Sequence, residues 1–171
     1  MDNPIVQEIY TRLAQLGIPY RVARHPLAHT MEDLTQVGLQ LGAVIPKNLF
    51  LTPRNQSAFY LCLVAPQQEF RTARISKQIG SSRLSFATAQ HLESLLHTHP
   101  GAVSPMGLLF PQAAGVSLLV DQALKDLPWL GFHPNDNAQT LAMSGPDFFL
   151  RFLPATGHSV TWVRPDQDLP G

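Results

Sequence analysis

The stretch NLFLTPRNQSAFYLCLVA, residues 48–65, decides the fold class of this chain. Two apolar runs, at 48–52 and 58–65, flank the polar segment Pro53-Arg54-Asn55-Gln56-Ser57. Runs of this length and composition on either side of a turn-forming segment predict two strands joined by a hairpin loop. The stretch therefore predicts a β-sheet that contains at least one antiparallel pair.

Helical patterns lie on both sides of this hairpin. Asn3-Pro4 is a good helix start and Gly17 a good stop, and apolar residues recur at helical spacing between them. A second helix is predicted over 30–41, with Thr30 and Asp33 as a weak capping box and Gly42 as its stop, and a third over 71–79, with Gly80 as its stop. Further helices are predicted over 89–97 and 146–152, and further strands over 20–24, 84–86, 116–120, 129–132, 138–143 and 158–163. Because helices and strands interleave, we expect an α/β (α+β) fold with a mixed parallel and antiparallel sheet and surrounding helices.

The composition is that of one domain without a strong charge. The chain has 171 residues, 44% of them apolar, and a formal net charge of +0. We place the domain at residues 1–163 and expect a loose tail at 164–171. Neutrality argues against a strongly basic scaffold for nucleic acid but permits one basic face. No apolar run approaches about 18 residues and no signal-peptide pattern is present, so we expect a cytoplasmic protein with no membrane partner.

Lys47 stands at the entrance of the first hairpin strand. Its ammonium is a compact charge suited to a phosphate or a polarised carbonyl, although a solvated lysine at a strand end is the commoner case. Asn48 either orients a ligand or simply begins the strand.

The segment Gly101-Ala102-Val103-Ser104-Pro105 combines a permissive glycine with a restricting proline. Such a loop can aim backbone N–H groups at an ester oxygen that gains negative charge, or it can be an ordinary Gly-Pro loop. Ser104 is a poor candidate nucleophile because no G-x-S-x-G pattern surrounds it.

His133-Pro134-Asn135-Asp136-Asn137 follows a predicted strand and is first of all a turn. Its functional interpretation is a polar wall for a pocket, in which His133 or Asn137 donates hydrogen bonds.

Arg71, Arg74 and Lys77 recur at every third position of one predicted helix, in a stretch without acidic residues between Glu69 and Glu93. They form either a surface that contacts the phosphates of a nucleic acid or an ordinary solvated helix face.

Cys62 is predicted to be a buried core thiol rather than a catalyst. His91, His97 and His99 lack a cysteine or carboxylate at zinc-ligand spacing, so we expect no metal and no cofactor.

Together, KNLFL (47–51), GAVSPMGL (101–108) and HPNDN (133–137) resemble segments of the YbaK/ProX family of aminoacyl-tRNA editing domains. The resemblance begins at LGIPY (16–20) and extends through His25-Pro26, Thr30-Met31-Glu32 and LSFA (84–87) to Thr140. It is greatest to the branch that removes alanine from proline tRNA. It implies a single YbaK-like domain whose pocket is shaped by Lys47 and the 101–105 loop, with Asn48, His133 and Asn137 binding the substrate.

The resemblance also implies hydrolysis of an aminoacyl ester by water, without a protein nucleophile, in trans to the synthetase. The expected partners are mischarged tRNA, alanyl-tRNA(Pro) first, and prolyl-tRNA synthetase as a further candidate. Because a synthetase discriminates one methylene by only ~1–3 kcal/mol, a second and smaller pocket must remove the error. Leu27 is a candidate for setting that size limit.

The chain departs from the family pattern near the loop. Met106 replaces the usual phenylalanine, Leu96-His97 replaces a leucine-glycine, and Phe110-Pro111 follows where a polar pair is common. These changes leave the acyl group open among alanine, serine, threonine and cysteine. They also keep two alternatives in view: a non-catalytic tRNA- or synthetase-associated module of the same fold, and an unrelated metal-dependent α/β enzyme.

Overall fold

The computed structural model describes residues 3–27 and 30–168. The strands in this part of the chain are β1 (Arg21–Arg24), β2 (Lys47–Pro53), β3 (Phe59–Val64), β4 (Leu84–Phe86), β5 (Val116–Asp121), β6 (Trp129–Phe132), β7 (Gln139–Ser144) and β8 (Val160–Val163). The helices are α1 (Pro4–Gln15), α2 (Met31–Leu41), α3 (Thr72–Ile79), α4 (Ala89–Leu96), α5 (Gly145–Asp147) and α6 (Leu153–Thr156). A π-helical turn, Phe148–Phe152, joins α5 to α6, and a 3₁₀ turn, Pro105–Leu109, follows the glycine-proline loop.

Local sequence signals set the helix ends. Asn3 caps α1 by accepting from the Val6 N–H, and Thr30 with Asp33 forms the predicted capping box of α2. Gly42 and Gly80 end α2 and α3 in the left-handed conformation. These predicted helix starts and stops are confirmed. The helix predicted from Pro146 is present but is divided into three pieces.

The described strands form two sheets. In the large sheet, ordered β4-β2-β3-β5-β8, β2 is antiparallel to β3 and β4, whereas β3, β5 and β8 are parallel. The small sheet, ordered β1-β7-β6, is antiparallel. The predicted hairpin and the predicted mixed sheet are confirmed. The small sheet was not predicted, because strand patterns do not specify which strands pair.

The large sheet is covered on both faces. Along β3, Leu61 and Leu63 enter the main core, whereas Cys62 and Val64 enter a second core with Ile75 of α3. This division follows from the alternation of side chains along a strand. The main core also holds residues of α1, α4 and the small sheet, and α2 packs on the small sheet through a third cluster with Ala142.

The carboxyl ends of the parallel strands β3 and β5 meet the start of β2 at one edge of the large sheet. Lys47 pairs with Val64 there, and the turn after β3 is held by Asp121. The Asp121 carboxylate is buried and accepts from the N–H groups of Ala65 and Ala123, both at 2.9 Å. This edge is where ligands commonly bind in open α/β sheets.

The segment after β8 contacts α3. Gln78 exchanges hydrogen bonds with Arg164 and donates to the Gln167 carbonyl. Residues 169–171 lie outside the described part of the chain, and the looseness of the tail stays a prediction. Among the described residues, no helix is both long and apolar enough to cross a membrane.

Candidate active site

A cavity of about 340 Å³ opens at this edge of the large sheet. Its polar walls come from three segments that are distant along the chain, represented by Lys47 and Asn48, Gly101 and Val103, and His133. Its apolar walls include Leu34, Ile45 and Leu49. The structure therefore brings together the three segments that the sequence singled out.

Lys47 is half-buried, and its ammonium is held by a backbone group. The Nζ atom donates to the Gln68 carbonyl at 2.8 Å, across the turn that follows β3. No carboxylate forms an ion pair with Lys47 among the described residues. An ammonium that donates to one carbonyl has two further N–H donors for a ligand.

Asn48 lies beside it with its amide pinned in one orientation. Its Nδ2 atom donates to the Pro46 carbonyl at 3.1 Å, and its Oδ1 atom is buried without a hydrogen-bond partner among the described residues. A buried amide oxygen without a partner is uncommon in folded proteins.

Two residues of the 101–103 loop, Gly101 and Val103, line the cavity. Gly101 has φ of +91°, a conformation that favours glycine. The Ala102 N–H donates to the His99 carbonyl, whereas those of Gly101 and Val103 donate to no other described residue. Two backbone donors beside a lysine can hold an oxygen that gains negative charge.

Ser104 and Pro105 lie behind this wall. The Ser104 side chain is fully buried, and its Oγ atom accepts from the Met106 N–H at the start of the 3₁₀ turn. Thr98, also buried, donates its hydroxyl to the Ala102 carbonyl at 2.8 Å. These residues fix the shape of the loop and do not face the cavity.

His133 is almost fully buried in the turn between β6 and β7, and it lines the cavity. Its Nδ1 atom lies 2.9 Å from the Gln139 carbonyl, which can only accept, so Nδ1 carries the proton. Burial lowers the pKa of His133, with opposing contributions from the Gln139 carbonyl and Asp136 and supporting ones from His25 and His99. The neutral ring therefore presents Nε2 as an acceptor, not the donor expected from the sequence.

Asn135 joins the His133 turn to the chain just before the 101–103 loop. This role was not predicted from the sequence. Its Nδ2 atom donates to the carbonyls of Leu96 and His97, at the end of α4 just before the 101–103 loop. Its backbone is left-handed, with φ of 58°, which asparagine tolerates better than most residues. The turn-forming Pro-Asn-Asp run was the available signal. Beside it, Asn137 places Nδ2 about 3.3 Å from where a Cβ on Gly101 would lie.

His25 and Thr140 support His133 from behind. The Nδ1 atom of His25 donates to the Pro26 carbonyl at 2.8 Å, so its Nε2 atom accepts from the Thr140 hydroxyl at 2.9 Å. The rings of His25 and His133 are 6.2 Å apart. The motifs His25-Pro26 and Thr140 therefore belong to one cluster.

The other predicted site residues lie apart from the cavity walls. Leu27 is about half exposed and is not among the lining residues, so its role in size selection stays a prediction. On α3, Arg71 pairs with Glu69, and Arg74 lies 3.1 Å from Asp168 and 3.9 Å from Glu69. Lys77 is exposed.

The remaining candidates have structural roles. Burial, together with the Asp121 carboxylate, raises the pKa of Cys62 to about 12, so the thiol stays protonated, as expected of a core residue. His91 completes the cap of α4, and His97 bonds Gln112 while packing on Phe110. Within residues 3–27 and 30–168, no three histidine, cysteine or acidic side chains converge as metal ligands would. Neither Phe110 nor Pro111 lines the cavity.

Comparisons with known proteins point to one class of protein, the aminoacyl-tRNA editing domains. Residues 25–149 match the family model of the aminoacyl-tRNA editing domain. The chain is 32% identical over 147 residues to the prolyl-tRNA editing protein ProX of Acetoanaerobium sticklandii, covering 86% of this chain and 90% of that one. It is 31% identical over 155 residues to the mouse prolyl-tRNA synthetase associated domain-containing protein 1, covering 88% and 90%.

Its fold also matches a crystal structure described as a candidate trans-editing enzyme for prolyl-tRNA synthetase. The TM-score is 0.71 at 18% identity, over 96% of this chain and 99% of that one. Fold, cavity and family model define an aminoacyl-tRNA editing enzyme, that is, an aminoacyl-tRNA deacylase. The chain belongs to the aminoacyl-tRNA editing domain family, in the YbaK/ProX group.

Proposed function

We propose that this protein hydrolyses alanyl-tRNA(Pro) in trans, by attack of water on the aminoacyl ester without a covalent enzyme intermediate. The observation that carries the proposal is the cavity that Lys47, Gly101, Val103 and His133 line together, with two backbone N–H groups and the Nε2 atom of His133 unpaired by other described residues. A small acyl group fits this cavity. The larger prolyl group would come closer to the apolar walls formed by Leu34, Ile45 and Leu49.

The reaction breaks the bond between the acyl carbon and the ribose oxygen. Water adds to the carbonyl carbon, and the carbonyl oxygen gains negative charge. The N–H groups of Gly101 and Val103 stabilise that charge, and Lys47 holds the ester or the adjacent phosphate. The ribose oxygen leaves with a proton, giving the free amino acid and the uncharged tRNA end. His133 accepts a hydrogen bond, from the attacking water or from the substrate ammonium.

The buried state of both side-chain nucleophiles supports direct attack by water. Ser104 is fully buried and uses its Oγ atom within the loop, and Cys62 is a buried, protonated thiol. The similarity to proteins named for prolyl-tRNA supports tRNA(Pro) as the carrier and prolyl-tRNA synthetase as a partner. An editing factor acts where translation occurs, so the proposed compartment is the cytoplasm.

A panel of charged tRNA(Pro) tests the proposal. Purified protein is incubated with alanyl-, seryl-, threonyl-, cysteinyl- and prolyl-tRNA(Pro), and loss of the aminoacyl ester is followed against buffer. Fast loss of alanine with survival of proline is the expected result. If only another acyl group were lost, that aminoacyl-tRNA would replace alanyl-tRNA(Pro) as the proposed substrate. Tight tRNA binding with no hydrolysis of any ester would favour the non-catalytic module.

A further inference from the structure

A second depression adjoins the cavity. It measures about 270 Å³ and shares Leu34 and Ile45 with the cavity as common walls. Its other walls include Leu39 and Ala43, from the end of α2 and the segment after it, and Pro66 and Gln67 from the turn after β3. We call this depression the α2 groove.

The chemistry of the α2 groove suits a flat, neutral, partly polar group. None of its walls carries a charged side chain. Leu39 is 71% exposed, so its side chain is accessible to a ligand in the groove. The Gln67 side chain is exposed and makes no hydrogen bond with another described residue. Apolar walls can cover the face of a nucleobase, and a glutamine amide can pair with the polar edge of adenine.

The α2 groove and the catalytic lysine meet at one turn. Gln67 precedes Gln68, whose carbonyl holds the Lys47 ammonium at 2.8 Å. The Gln68 N–H donates to the Ala65 carbonyl, and Ala65 is itself held by Asp121, so this turn is rigidly attached to the large sheet. A nucleoside whose ribose ester lies beside Lys47 therefore has its base within reach of the α2 groove.

We propose that the α2 groove binds the adenine base of the 3′-terminal adenosine of tRNA, while the adjoining cavity takes the esterified amino acid. This inference rests on the proposed function. The terminal adenosine is common to all tRNAs, so the α2 groove binds the constant part of the substrate and the cavity selects the acyl group. The contribution of the base to affinity is then the same whichever amino acid is attached.

The matched variants are Leu39→Gln and Leu150→Gln. Both leucines are highly exposed, at 71% and 74%, and Leu150 is not among the residues that line either space. Each variant is assayed with 3′-O-alanyl-adenosine and with alanine methyl ester, which lacks the base. Leu39→Gln should lower kcat/KM for the adenosine ester about five- to tenfold, the scale expected for part of one apolar side chain, and leave the methyl ester unchanged. Leu150→Gln should change neither.

Equal losses on both esters, or no loss from Leu39→Gln, would overturn the α2 groove as an adenine site. If the wild-type protein hydrolyses neither ester nor alanyl-tRNA(Pro), the proposed function fails, and titration with AMP followed by amide NMR decides the groove separately. Changes in amide chemical shift concentrated at Leu39, Ala43 and Gln67 would support the α2 groove as the adenine site. Shifts elsewhere, or none, would overturn it.

Discussion

Lys47 lines the cavity together with Gly101, Val103 and His133, whose backbone N–H groups (Gly101 and Val103) and Nε2 atom (His133) other described residues leave unpaired. On α3, by contrast, Arg71 and Arg74 already pair with Glu69 and Asp168. The sequence placed polar chemistry in both regions, and each was also consistent with an ordinary surface. The two regions differ in whether neighbouring residues already provide hydrogen-bond or ion-pair partners for the polar groups. Groups that remain unsatisfied in a concave space are available to a substrate, whereas exposed ion pairs contribute little.

The sharpest test of this contrast replaces one lysine in each region. Lys47→Met should lower kcat/KM for alanyl-tRNA(Pro) by about two to three orders of magnitude, since it removes the half-buried charged group that holds the ester or the adjacent phosphate. Lys77→Met removes an exposed charge of α3 and should change kcat/KM less than about threefold. Thermal melting of both variants controls for folding. Equal losses would remove the distinction between the two regions.

Two glycines provide the next comparison. Gly101 and Gly80 both have positive φ, +91° and +69°, so alanine at either position strains the backbone. An added Cβ at Gly101 would lie 3.3 Å from Asn137, whereas at Gly80 it would meet nothing within 4 Å. Gly101→Ala should therefore lower kcat/KM about 10- to 100-fold through displacement of the loop N–H groups.

Gly80→Ala should lower stability by about 1 kcal/mol and leave kcat/KM within about twofold. Denaturant unfolding and single-turnover deacylation measure the two effects on the same samples. An active Gly101→Ala protein would show that the loop backbone does not contact the reacting ester.

The protonation of His133 should make both stability and activity depend on pH, with a smaller effect than the preceding substitutions and a loss towards acid pH. Because burial lowers its pKa below the ordinary value of 6.5, the folded protein holds the ring neutral where the unfolded chain would bind a proton. The stabilising contribution is fully present above about pH 6.5 and is lost as the pH falls through the folded pKa. Activity that needs the Nε2 acceptor should decline over the same acid range.

His133→Gln should lower kcat/KM about tenfold, the equivalent of one hydrogen bond, and should abolish the acid decline because glutamine does not titrate. The profile is measured from pH 5 to 8 with the spontaneous hydrolysis of the ester subtracted. Neighbouring His25, Asp136 and His99 also act on this ring, so His25→Gln is the companion variant. An unchanged acid decline in His133→Gln would assign it to another group.

Charge reversal on α3 should give the smallest effect. Lys77→Glu combined with Arg71→Glu should weaken tRNA binding about two- to threefold and reduce its salt dependence only slightly, if α3 contacts phosphate weakly. Filter binding at several salt concentrations measures both quantities. A large fall in the salt slope would restore α3 as a principal tRNA surface.

The fold was largely predictable because its signals are local. Asn3-Pro4, the Thr30–Asp33 box and Gly80 fix helix ends through hydrogen bonds within a few residues, and the 48–65 hairpin needs only its own turn. The site was predictable only as separate segments. That Asn135 ties the His133 turn to the end of α4, and that Gln68 holds Lys47, depends on contacts between residues 38 and 21 positions apart. The pairing of Arg74 with Asp168 likewise joins residues 94 positions apart, so this ion pair was not visible in the helix sequence.

A crystal structure with 3′-alanylamino-3′-deoxyadenosine, in which an amide replaces the labile ester, tests the central claim most directly. The account predicts the alanyl carbonyl within hydrogen-bond distance of the Gly101 or Val103 N–H, the Lys47 ammonium beside the ribose or its phosphate position, and the base towards α2. The account would be contradicted if the analogue bound to the α3 surface and the cavity between Lys47 and the 101–103 loop held none of it.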